Sequence, residues 1–184
     1  MQIKFNNIYL FILFIIIARS APSYNLEFIS NIGSITENNS GANFGISDVW
    51  GYTDEMGIEY AIVGYRYGTF IYDVSSDPGF PILVADILGP SDGDYYYHRD
   101  YKTYNDHLYI VNEMTGLDEG MQVIDLSPLP GSAPVKRNTY TGISQSHNLW
   151  IDEDLGFAFI ENYYQDNVHI VNLEDPNFPY QISS

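Results

Sequence analysis

Short runs of β-branched and aromatic residues, separated by Gly, Pro, Asn and Asp, fill the chain from about residue 46 to Ser184. The runs are only about four to seven residues long, and no stretch after residue 21 carries an apolar stripe at helical spacing. That pattern predicts strands. The runs also recur. Asp48-Val49-Trp50-Gly51, Asp100-Tyr101-Lys102-Thr103 and Asn148-Leu149-Trp150-Ile151 each open a block. A second run follows in each: Tyr60-Ala61-Ile62-Val63, Leu108-Tyr109-Ile110-Val111 and Phe157-Ala158-Phe159-Ile160. A third closes on a Pro-containing turn, as Thr69 to Val74, Met121 to Leu126 and Val168 to Leu173.

Fourth strands are expected at Pro81 to Ile87, Val135 to Tyr140 and Pro179 to Ile182. Asp73 and Asp125 are 52 residues apart, and Asp125 and Asn172 are 47 apart. A unit of that length, with four antiparallel strands, is the size of a propeller blade, which buries its faces only against neighbours. The predicted fold is therefore all-β, with three complete four-stranded antiparallel blades (46–97, 98–145 and 146–184) in one domain. Tyr24 to Ile32, within an N-terminal segment of residues 21–45, is expected to form an orphan outer strand.

The first 20 residues differ. Lys4 precedes eleven apolar residues from Ile8 to Ala18, and Ala18-Arg19-Ser20 places small residues where a signal peptidase reads, so residues 1–20 are expected to be a signal peptide cleaved after Ser20. A membrane span needs roughly 20 apolar residues, and Arg19 and Pro22 end this run early. The expected product is secreted and extracellular, with no membrane insertion after signal removal. In an exported chain, Asn38-Asn39-Ser40 is a sequon that makes Asn38 a candidate glycosylation site.

Charge narrows the partners. The chain has 24 Asp plus Glu against 7 Lys plus Arg, a net charge of -17, and loss of Lys4 and Arg19 with the signal deepens the imbalance. No nucleic-acid partner is expected on that ground, and anionic membrane surfaces are disfavoured, because both are bound through clustered Lys and Arg. Zero Cys removes thiolate nucleophiles, disulfides and sulfur-ligated metals.

Taken in order, Asp48 to Asp54, Glu59 to Gly64, Arg99-Asp100, Gly120 to Leu126 and Ser146-His147-Asn148 resemble the choice-of-anchor B family of LVIVD-repeat β-propellers, over roughly Tyr24 to Ser184. The resemblance implies a secreted or surface-attached propeller and carries no chemistry with it. Family members run on through further blades, so this chain is expected to be an incomplete ring, as from a truncated gene product.

Propellers usually bind ligands where the innermost strands begin. Asp48, Asp100 and His147 start three successive innermost strands, and two carboxylates with an imidazole would suit a divalent cation such as Ca²⁺. The competing reading gives Asp48, Asp100 and Asn148 a structural use, hydrogen-bonding backbone of the adjacent blade. His147 breaks the repeat, since Ser47 and Arg99 stand at its position. Glu113, Asp118 and Glu119 form an acidic loop without the ordering of a calcium loop. Asp73 and Asp125 are expected to fix turns through their own backbone. His169 is expected at an alternating surface or half-buried position.

Ser146, His147 and Asp100 form a formal hydrolase set without a nucleophile elbow. Tyr95, Tyr96, Tyr97, Tyr101 and Tyr104 suggest a contact patch for an extracellular protein or glycan, with some filling the core. Two functions thus remain: a non-enzymatic interaction module, or a metal-dependent hydrolase or lyase at the channel mouth.

Overall fold

The computed structural model describes residues 26–32, 46–90, 98–162 and 167–184. Within them the chain is all β, with no helix. Twelve strands run in sequence order: β1 (Ile46–Thr53), β2 (Glu59–Tyr65), β3 (Gly68–Asp73), β4 (Ile82–Leu88), β5 (Arg99–Tyr104), β6 (His107–Asn112), β7 (Met121–Asp125), β8 (Val135–Tyr140), β9 (Leu149–Asp152), β10 (Phe157–Asn162), β11 (Asn167–Asn172) and β12 (Tyr180–Ser183). They form three antiparallel four-stranded sheets in which each strand pairs with its neighbours in sequence.

Local chemistry explains the strand ends. Pro81 and Pro179 lack the N–H a ladder requires, so β4 and β12 begin one residue later than the apolar runs. Each third strand stops at the residue whose side chain holds the following turn. Asp73 Oδ1 accepts the N–H groups of Ser75 and Ser76, Asp125 Oδ1 that of Ser127, and Asn172 Oδ1 that of Glu174. β5 and β6 are joined by Asn105 and Asp106, both at positive φ (47° and 54°), as a two-residue hairpin of the favoured twist needs.

The repeat extends to an irregularity. Register shifts fall between Ile71 and Tyr72, between Val123 and Ile124, and between Ile170 and Val171, where the third strand meets the fourth in every sheet. These positions are 52 and 47 residues apart, the spacing of the sequence blocks. A bulge there increases the twist of each outer strand in the same way.

The middle sheet is buried on both faces. Leu108, Ile110 and Ile124 pack with Tyr60, Ile62 and Ile71 of the first sheet, while Tyr109, Val111, Met121 and Val123 pack with Leu149, Ile151, Ala158, Ile160 and Val171 of the third. β6 and β7 are therefore buried at nearly every position, whereas burial alternates along β2 and β10. Polar bonds cross both gaps. Gln122 Nε2 donates to Leu88 O at 3.0 Å, and Arg99 Nη1 to Tyr65 O at 2.6 Å. Ser146 N donates to Asn112 O at 2.9 Å.

Two expectations are corrected. Leu26 to Ile32 forms no strand, and Leu26, Phe28 and Ile29 lie exposed; alternating apolar residues become a strand only beside an edge that takes their backbone. Tyr24, the signal segment and Asn38 lie outside the described residues. His169 is buried, not superficial: it sits between the second and third sheets, its Nε2 2.9 Å from Asn162 Nδ2. No helix among the described residues is long and apolar enough to cross a membrane.

Candidate functional site

The starts of β1, β5 and β9 meet around an open cavity of about 640 Å³, whose wall includes Asp48, Trp50, His98, Asp100, Lys102, His147 and Asn148. All three residues proposed from the sequence as cation ligands thus lie on one wall. The bonding of Asp100 and His147 differs from that of a ligand set. Asp100 Oδ1 accepts the N–H of Tyr101 at 2.8 Å and Lys102 Nζ at 2.7 Å, and its Oδ2 accepts the N–H of Leu149 at 2.7 Å. Leu149 belongs to the next sheet, which is the structural use anticipated for this aspartate. Asn148 differs, since its amide donates to Glu161 Oε2 at 3.0 Å within its own sheet.

His147 is half exposed and its Nδ1 is paired with Glu113 Oε1. The His98 ring lies 5.6 Å from it, centroid to centroid. Among the described residues no group of three or more His, Asp or Glu side chains is arranged to hold a metal ion. Ser146 is fully buried, and its hydroxyl donates to Asn148 O at 3.0 Å. It therefore faces away from the role of a nucleophile beside His147.

The acidic loop does not converge either. Glu113 goes to His147, Asp118 to Lys136 Nζ at 3.2 Å, and Glu119 Oε2 accepts the N–H of Gly116. Of the tyrosines, Tyr95, Tyr96 and Tyr97 lie outside the described residues. Tyr101 is wholly buried, with its hydroxyl 3.0 Å from Thr69 Oγ1 in the first sheet, and Tyr104 packs on the core between the second and third. Both belong to inter-sheet packing, because two faces of the middle sheet must be filled.

Sequence reasoning missed Trp50 and Lys102 as site residues. Lys102 Nζ stands 4.5 Å over the Trp50 ring, a cation–π contact, and Trp50 Nε1 donates to Thr103 Oγ1 at 3.1 Å. The available signal was their shared register: positions 50 and 102 occupy the same place, 52 residues apart, in consecutive innermost strands. Arg99, buried beneath the cavity wall, donates through Nη2 to Met114 Sδ at 2.6 Å, and burial holds its pKa below the usual arginine value.

A second cavity of about 560 Å³ opens at the opposite end of the innermost strands, lined by Tyr52, Thr103, Asn105, Asp106, Glu153 and Asp154 among others. Tyr52 donates its hydroxyl to Asp106 Oδ1 at 2.9 Å, and burial together with that bond raises its pKa.

Comparison of the chain with protein-family models, curated proteins and solved structures finds no match.

Proposed function

We propose that the three sheets are blades of a propeller of the LVIVD-repeat, choice-of-anchor B kind, and that the chain is a secreted, non-enzymatic module holding an extracellular glycan at the mouth between its innermost strands. The observation that carries this reading is the composition of the 640 Å³ cavity wall: one indole with hydroxyl, amide, imidazole, carboxylate and ammonium groups around it. A sugar offers apolar C–H faces and a rim of hydroxyls, and aromatic surface with a few placed polar groups is what recognises both. The recurring bulge and the burial of the middle sheet on two faces support the blade assignment.

The carboxylate of Asp100 already accepts from an ammonium and two backbone N–H groups, one of them in the next sheet. Binding rather than metal-assisted hydrolysis is the reading this favours. Screening the exported chain on immobilised glycans, followed by calorimetric titration of any hit, tests it. His147→Ala and Asn148→Ala remove exposed groups from the wall and should each weaken a genuine ligand by roughly tenfold, or about 1.4 kcal/mol. Absence of any hit, together with heat on titration of Ca²⁺, Mn²⁺ or Zn²⁺, would overturn the reading in favour of a cation site.

A further inference from the structure

Hydrogen bonding divides the groups of the 640 Å³ cavity wall into those engaged by the protein and those left for a ligand. The cations are engaged. Lys102 Nζ donates to Asp100 Oδ1 and to Tyr101 O and stands over the Trp50 ring, so its three protons are matched by a carboxylate, a carbonyl and an aromatic face. Arg99 is buried, with Nη1 on Tyr65 O and Nη2 on Met114 Sδ. Both cations are turned to the protein's own acceptors.

Two acceptors are left. Asp48 lines the cavity and takes no hydrogen bond or ion pair among the described residues. His147 is the other, and a residue outside the wall decides its polarity. Glu113, from the loop between β6 and β7, has a side chain only 13% exposed, and its Oε1 pairs with His147 Nδ1. The backbone of Glu113 is held at two points: its N–H donates to His98 O at 3.2 Å, and its carbonyl accepts Gln145 Nε2. An ionised carboxylate can only accept. The proton of a neutral imidazole must therefore sit on Nδ1, which leaves Nε2 as a bare lone pair on a half-exposed ring in the wall.

We propose that the mouth is specific for neutral sugars: Asp48 and His147 Nε2 each accept a ligand hydroxyl beside the Trp50 face, and Glu113 is the positioning residue that keeps His147 an acceptor. This rests on the glycan reading above. Hexoses and N-acetylhexosamines bring hydroxyl donors and no charge. A uronate or a sulfate ester brings further acceptors to a wall whose open groups already accept, and sets negative charge against Asp48 in a chain of net charge -17. An unpaired like charge of that kind rejects the wrong partner.

Nuclear magnetic resonance of the full chain with ¹⁵N-labelled histidine, without glycan, tests the role of Glu113. At about pH 8, above the ordinary histidine value of about 6.5, His147 should show a protonated Nδ1 and a bare Nε2, with its signals assigned by their loss in His147→Gln. Glu113→Gln, whose amide can donate to Nδ1, should move part of that proton to Nε2; a Glu113 that only braces the loop would leave the pattern unchanged. A wild-type His147 protonated on Nε2, or on both nitrogens, overturns the proposal.

Calorimetric titration with neutral hexose and N-acetylhexosamine oligosaccharides, beside uronate-bearing and sulfated ones, tests the specificity. Wild type should bind a neutral oligosaccharide about tenfold or more tighter than its acidic analogue, the direction that like charge imposes. Asp48→Asn, which keeps the side-chain shape, should weaken the neutral ligand by about tenfold or more, the scale of a hydrogen bond to a charged group. Glu113→Gln should weaken it less, in step with the change of tautomer, and circular dichroism checks that both variants fold. Affinity for the neutral ligand unchanged in both variants overturns the proposal. Preference for an acidic oligosaccharide also overturns it but leaves the glycan reading standing, whereas no heat with any oligosaccharide overturns both.

Discussion

The Asp100 carboxylate accepts the backbone N–H of Leu149 at 2.7 Å, so the first residue of β9 in the third sheet is held by a side chain of β5 in the second. The same carboxylate takes Lys102 and the N–H of Tyr101. Asp100→Ala leaves the Leu149 N–H without this charged acceptor and Lys102 without its carboxylate. It should destabilise the chain by about 1 to 3 kcal/mol. Asp100→Asn keeps one acceptor oxygen and should cost less. Urea midpoints of the two variants check the order; equal midpoints would mean that the inter-sheet bond contributes nothing.

Acid should loosen the turns that end the third strands. Burial alone would raise the pKa of Asp73 and Asp125, but hydrogen bonds from Ser75 and Ser76 to the first, and from Ser127 and Arg137 to the second, outweigh it and hold both below the ordinary 3.8. A carboxylate depressed in the folded state stabilises above its unfolded pKa, and that contribution drains away as pH falls through 3.8 toward the folded value. Melting temperatures from pH 6 to the acid limit should fall mainly below about pH 4. Asp73→Asn and Asp125→Asn should flatten that acid limb. A limb unchanged in both variants would assign it to other carboxylates.

Gly120 sets the start of β7. Its φ is +125°, and a Cβ built there would lie 2.3 Å from Tyr140 O. The neighbour is backbone of the paired strand β8, which cannot step aside without breaking the ladder. Gly120→Ala should therefore cost more than about 2 kcal/mol, beyond the ordinary range for a surface change. Thermal denaturation reads this directly, with Gly51→Ala, where a Cβ meets nothing within 4 Å, as the tolerated control.

Periodicity and turn chemistry make the strands legible in the amino-acid sequence. The three blocks, their four strands each and the turn roles of Asp73 and Asp125 follow from residues a few positions apart, because a strand and its cap are local. Long-range partners are not legible in the same way. Nothing in Val168-His169-Ile170 says that a polar ring is buried between two sheets, since an alternating strand looks alike whether or not a neighbour covers it. Asp100 and Asn148 open successive blocks, yet one bonds the next sheet and the other its own. The segment from Leu26 to Ile32 fails in the opposite sense: its pattern suits a strand, but pairing is decided by an edge elsewhere in the chain.

Tyr101 joins the first two sheets through one hydroxyl. It is fully buried, and its oxygen lies 3.0 Å from Thr69 Oγ1, itself almost without exposure. Tyr101→Phe strands the threonine hydroxyl in the core and should cost about 1 to 3 kcal/mol. Adding Thr69→Val, which replaces the other partner with an apolar group of like shape, should recover part of that loss, and the double-mutant cycle isolates the pair. Alkali gives an independent readout. Burial pushes the Tyr101 pKa from 10.0 up to about 12, so the unfolded chain gives up this proton first. Stability from that difference is present below pH 10 and is lost as pH rises to about 12. Tyr101→Phe should make the alkaline limb shallower across that window; a slope identical to wild type, with the hydroxyl gone, would show that the buried phenol carries none of the alkaline sensitivity.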